Sequence, residues 1–229
     1  MSDIFDEVSA ELRRDRASLA WKRYGRYVIG SGVAIVLLVS AVIGYQSYTQ
    51  ARAEAASARY DDLVTVLAET DSFEQREQFV NAFIDAESGG YQALAMMRAG
   101  FDAKENGDSE TALSLFDELS TRGDLSPALR DLARLQAAVT LLDNDASVED
   151  VESRLARMLV DSNQMRPAAR EILALAHLRH DSLLTARTLL VEQLADSISN
   201  NLTRQRAGIL LDIVNTKLGP NAAPVAQEN

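Results

Sequence analysis

The chain has 229 residues, no cysteine, and 34 acidic against 23 basic side chains, for a formal net charge of −11. Without cysteine it has neither a disulfide framework nor a thiolate metal site. The acidic excess argues against a nucleic-acid surface.

Residues 1–26 read as a basic cytoplasmic segment. Ile4, Phe5, Val8 and Leu12 fall along one side of a short helix that Asp3 would cap. That helix either lies on the membrane surface or docks on a cytoplasmic partner, or the segment is only a frayed, topology-setting tail. Residues 27–45 read YVIGSGVAIVLLVSAVIGY, with no charged side chain between Arg26 and Arg52. Nineteen residues at about 1.5 Å each span about 30 Å, the hydrocarbon thickness of a bilayer. This is the expected transmembrane helix. A cleaved signal peptide is the rival reading, but its apolar core should be shorter, about 7 to 15 residues. The one A-x-A candidate, Ala51-Arg52-Ala53, comes late.

Arg13, Arg14, Arg16, Lys22, Arg23 and Arg26 precede the span, whereas only Arg52 and Arg59 follow at comparable distance. Positive charge stays in the cytoplasm, so the N-terminus is expected inside and the remainder outside; the lack of cysteine is compatible with an oxidising bacterial periplasm. Trp21, Tyr24 and Tyr27 mark one interface, Tyr45 and Tyr48 the other. Gly30 with Ala34, and Ser40 with Gly44, are small pairs four apart that could seat a partner helix.

The exterior from Gln46 onward carries 17 basic and 29 acidic residues, a formal charge of −12. Four prolines and little strand-like alternation predict an all-α exterior. Residues 46–88 read as a helical stalk and the first packed helices. QARAEAASARYDDLVTVLAE is Ala-rich, with no breaker before Asp71. Ser72 with Gln75 predicts a capping box for the next helix, which ends near Ser88-Gly89-Gly90.

Residues 89–218 then fall into helix pairs. The first is YQALAMMRAGFDAKE, a turn at Asn106-Gly107-Asp108, and SETALSLFDELSTR. The second opens with Ser126-Pro127, a capping residue before a proline at the first helical position. It turns across Asp143–Ala146 and resumes as VEDVESRLARMLV. The third opens at Pro167 and turns near Asp181. A last helix holds Leu202, Ile209, Leu210, Ile213, Val214 and Leu218, and residues 219–229 read as a disordered tail. PALRDLARLQ from Pro127 recurs as PAAREILALA from Pro167. Two helices per period of about 34 to 40 residues signal a solenoid of about three degenerate pairs plus a capping helix.

Gly100, Ala112 and Phe116 stand where a tetratricopeptide repeat places its two small residues and the following aromatic. The segment from Ala93 to Thr121 therefore resembles such a repeat. Ala186 and Leu190 take the second-helix roles in the third unit. Basic segment, anchor, Ala-rich stalk and repeat array together resemble the YfgM-like ancillary subunits of the SecYEG translocon. That resemblance implies partners at the protein-conducting channel and a membrane-anchored periplasmic chaperone of the prolyl-isomerase type. A repeat scaffold for another envelope assembly, cytochrome c maturation or cell division, is the alternative.

Few residues suggest chemistry. His177 and His180 share a helix face without an evident third ligand, and Asp61-Asp62 reads as a solvated pair. No catalytic motif or cofactor-binding loop is present, so a non-enzymatic protein is expected. Met97 and Phe101 share a face of the first repeat, and Leu135 and Leu175 lie at equal offsets from Pro127 and Pro167. Two readings stay open for these four: core, or an apolar groove for a partner helix or an unfolded segment.

Overall fold

A computed structural model describes the backbone of residues 3–219 and, from Ala34 onward, every side chain as far as Gly219; before Ala34 it describes those of Lys22, Tyr24, Tyr27 and Ser31. The expected disordered tail, apart from Gly219, lies outside the described residues, as do the side chains expected to form the N-terminal amphipathic helix. The chain divides into two compact units, Met1–Ala58 and Arg59–Asn229.

The first unit consists of most of α1, which runs from Asp3 to Glu69. No proline precedes Pro127, so nothing in this stretch removes a backbone donor, and the Ala-rich segment carries the helix on. From Ala34 the side chains up to Gln50 are all exposed, including Ile35, Val36, Leu37, Leu38 and Ile43. A Cβ added at Gly30 or Gly44 would meet nothing within 4 Å.

The second unit contains the end of α1 and then α2 (Phe73–Ala86), α3 (Gly90–Glu105), α4 (Ser109–Thr121), α5 (Pro127–Asp143) and α6 (Val148–Leu155). It closes with α7 (Arg166–Arg179), α8 (Leu183–Ala195) and α9 (Asn201–Leu218). Among the described residues it is entirely helical. From α2 onward each helix packs on its neighbours in the chain, and α7 also touches α5 and α9.

Its core is a string of four small cores rather than one. Leu63 and Leu67 of α1 meet Val80 of α2 and Ala95 of α3. The opposite side of α3 (Ala93, Met96, Met97) joins Ala112, Phe116 and Leu119 of α4 and Ala133 and Ala137 of α5. Leu135, Ala138 and Leu142 then turn the other face of α5 toward α6 and α7. Finally Ala174 of α7 packs with Ala186, Leu190, Ala207 and Val214. Helices α3, α5 and α7 each serve two cores, and the small alanines at these seams let successive layers approach closely. Stability in such an array is a sum over neighbours.

The repeat is written most clearly in the turns. After α3, α5 and α7 the chain enters the left-handed region at Gly107 (φ 84°), Asp145 (φ 52°) and Asp181 (φ 55°). In each case the next amide reaches back five residues: Asp108 to Ala103 at 2.9 Å, Ala146 to Leu141 at 3.1 Å, Ser182 to His177 at 2.9 Å. These are the bonds that satisfy carbonyls left open at a helix end. Gly, Asp and Asp occupy the same position, so sequence identity understates the repeat.

Two local expectations need correction. The segment VEDVESRLARMLV is not one helix: α6 stops at Leu155 and a 3₁₀ turn, Ala156–Met158, follows. In a 3₁₀ turn residues three apart eclipse, which sends both Leu155 and Met158 into the same core, each fully buried. Nor does Ser72 form a capping box. It stands at the N-cap of α2 without a side-chain bond to the helix, whereas Ser126, Ser147 and Asn200 cap α5, α6 and α9 through theirs.

Candidate protein-binding surface

Helix packing decides which apolar residues remain for a partner. Met97 and Phe101 belong to the core between α3, α4 and α5; Leu135 and Leu175 belong to the next one. Met97 and Leu135 are only 5% and 8% exposed. Phe101 and Leu175 are half-buried at the edges of those cores, and the Phe101 ring meets Phe116 edge-on at 5.5 Å between centroids. The structure thus brings the four together as two pairs.

A different concavity opens between α2, α3 and α4. Its volume is about 180 Å³, and Phe73, Val80, Ala99 and Leu115 give it an apolar floor. Glu77, Asp102 and Asp108 supply carboxylates to its wall. Asp102 is held in place by Arg98 Nε at 2.9 Å and Arg76 Nη2 at 3.2 Å. Asp108 caps α4 by accepting from the Thr111 amide at 3.1 Å. Hydrogen bonds from the Thr111 side chain and amide hold its carboxyl below the ordinary value. Asp108 therefore keeps its charge at neutral pH. Such a pocket suits an apolar side chain that ends in a cation or an amide. Sequence reading missed it because Arg76 and Asp102 are separated by a turn and most of two helices; only the Arg98–Asp102 spacing of four was visible.

The last helix leaves a second apolar surface. Of its expected stripe, Val214 is buried and Leu210 and Leu218 pack half-buried, but Leu202, Ile209 and Ile213 face outward. Beneath α9 lies a buried ionic knot. Asp196 accepts from Arg166 Nε at 2.7 Å, Arg166 Nη2 at 2.8 Å and Arg170 Nη1 at 2.7 Å. The Arg166 guanidinium holds the Asp196 carboxyl well below the usual carboxylate range, at about 2, against the opposing effect of burial.

The two histidines serve the turns. His180 Nε2 lies 2.9 Å from the Ala146 carbonyl, and so links the turn after α7 to the one after α5. His177 is half-buried, and desolvation lowers its pKa.

Pairs of packed helices in series, with a small residue facing an aromatic across α3 and α4, define a helical-repeat protein. Residues 20–151, more than half of the chain, match the tetratricopeptide repeat-like domain, and the chain belongs to that family. The match takes in α1 from residue 20 onward, α2 to α5 and the start of α6; the repeat around α7 and α8 lies beyond it. No curated protein and no solved structure matches the chain.

Proposed function

We propose that this protein is a non-enzymatic scaffold, anchored in a bacterial inner membrane by residues 27–45, that binds protein partners through its periplasmic repeat unit. Membership of the tetratricopeptide repeat-like family carries the reading, because stacked helix pairs present extended surfaces to peptide segments and helices. The α2–α4 pocket is where a partner side chain enters. Among the described residues one helix is long and apolar enough to cross a membrane, and none of its apolar window is buried. A helix of a soluble core would hide these side chains. Lipid is the solvent in which Ile35 to Leu38 and Ile43 need no protein neighbour.

The layout of the whole chain, which resembles the YfgM-like subunits, supports a place beside the SecYEG translocon with a membrane-anchored periplasmic chaperone. Confinement to the membrane raises the effective concentration of such partners without added contacts.

The test is affinity purification of the full chain from gently solubilised membranes, with a photo-crosslinker at Asn81, an exposed residue of the pocket wall. Channel subunits and a periplasmic chaperone should be recovered, with crosslinks from position 81. Recovery of haem-ligation or division proteins without the channel would reassign the scaffold to another assembly.

A further inference from the structure

A second concavity is basic, in a chain whose charge is −11. It opens between α4, α5 and α6, has a volume of about 460 Å³, and is lined by Ser120, Thr121, Arg130, Arg134, Ser153, Arg154 and Arg157. Four guanidinium groups converge there from two helices and the 3₁₀ turn, and none of the lining residues is a carboxylate.

Two of the four are already committed. Arg134 donates to Asp131 Oδ1 at 2.6 Å and to the Ser120 carbonyl at 2.7 Å. Arg154 donates to Asp117 Oδ2 at 3.0 Å. The other two have no ion-pair partner among the described residues. Arg130 is half-buried, and its Nε is enclosed without any hydrogen-bond acceptor. Arg157 is exposed at the mouth. An enclosed N–H donor with nothing to receive it carries a desolvation cost that a bound acceptor would remove. The hydroxyls are not the donors in waiting: Ser120, Thr121 and Ser153 bond to the carbonyls of Asp117, Glu118 and Asp150. What remains is two guanidinium forks and, after Asp131 and Asp117 are set against Arg134 and Arg154, a local charge of two positive.

We propose that this pocket binds a phosphoryl group as its dianion. A phosphate monoester carries a charge of about −1.5 to −2 at neutral pH, which matches the uncompensated pair. Its tetrahedral oxygens fit the planar forks of arginine, which bind phosphate in bidentate fashion. The volume admits the phosphate together with the group that bears it. A long acidic peptide fits less well, since the −12 exterior would repel every part outside the pocket, while a compact anion feels chiefly charges within about 8 Å. The site is separate from the α2–α4 pocket and does not depend on which protein the scaffold binds.

The full chain in detergent micelles is titrated calorimetrically with inorganic phosphate and with glycerol phosphate at fixed ionic strength. The full chain is also mixed with nanodiscs of phosphatidylcholine with and without phosphatidic acid. Saturable binding of the soluble anions identifies a free phosphate or phosphoester ligand; binding confined to phosphatidic acid identifies a lipid headgroup. In either case Arg130→Gln with Arg157→Gln should weaken binding at least tenfold. Arg157→Gln alone, which removes no hydrogen bond or ion pair among the described residues, should weaken it at least threefold at an unchanged ligand-free melting temperature. Absence of binding in every arm, or unchanged affinity in Arg157→Gln, overturns the proposal.

Discussion

Gly100 and Phe116 meet with no room for a methyl group between them: a Cβ at position 100 would stand 2.5 Å from Phe116 Cε1 and 2.8 Å from Cζ. The ring cannot retreat, because Phe116 is fully buried and stacks edge-on against Phe101. Replacing a helical glycine by alanine ordinarily stabilises by about 1 kcal/mol. Here the contact reverses the sign. Gly100→Ala is expected to destabilise the repeat unit by about 1 to 3 kcal/mol. The measurement is denaturant unfolding, and Gly100→Ala combined with Phe116→Leu should recover part of the loss. A neutral or stabilising Gly100→Ala would mean that α3 and α4 do not approach so closely.

Two serines that look alike in sequence should behave differently. Ser126 accepts a hydrogen bond from the Leu129 amide at 3.3 Å, so Ser126→Ala should cost about 1 kcal/mol. Ser72 makes no such bond, and Ser72→Ala should stay within about 0.5 kcal/mol of the parent. Paired thermal melts decide the matter, and equal losses would contradict the capping assigned here.

Asp196 sets an acid limit. Its carboxyl titrates near 2 in the folded protein against 3.8 for the free side chain. A depressed carboxylate contributes stability that is complete above the unfolded value and is lost as pH falls through the folded one. The melting temperature should therefore drop between pH 3.8 and about 2. The Asp196 side chain is 1% exposed and that of Arg166 8%. Asp196→Asn leaves the buried guanidinium of Arg166 with only the exposed Asp161 carboxylate, 2.6 Å from its Nη1, as an ion-pair partner and should cost about 3 kcal/mol at neutral pH, with a flatter acid limb.

Membrane insertion has a direct readout. A charge at the centre of the span costs about 2.5 to 3.5 kcal/mol, so Leu37→Arg should shift protein from the carbonate-resistant pellet to the supernatant. Because the chain has no cysteine, a single introduced thiol reports its own side of the membrane. Glu149→Cys, at an exposed position of α6, should react with a membrane-impermeant maleimide in intact spheroplasts, and Ser9→Cys should react only after lysis. The opposite pattern would invert the topology.

Local signals carried much of the architecture. Glycine at position 100, alanine at 112 and phenylalanine at 116 are close in the chain, and each states a steric requirement of its own, so the repeat could be named before α3 and α4 were seen packed. Ser126-Pro127 marked the start of α5 for the same reason: capping and a fixed φ are properties of adjacent residues. The uncharged stretch from Tyr27 to Tyr45 needs only composition to read as a span.

What the residues alone could not say depends on partners far along the chain. Whether Leu135 belonged to core or groove turned on which faces of α5 and α7 meet. The end of α6 was decided by the demand that Leu155 and Met158 enter one core. Arg166 finds Asp196, and Arg76 finds Asp102, only because folded layers bring helices side by side. The same holds for the four arginines between α4, α5 and α6. Backbone preference acts over a few neighbours and is encoded there; charge pairing and burial act through space, and only the stacked array fixes the distances on which they depend.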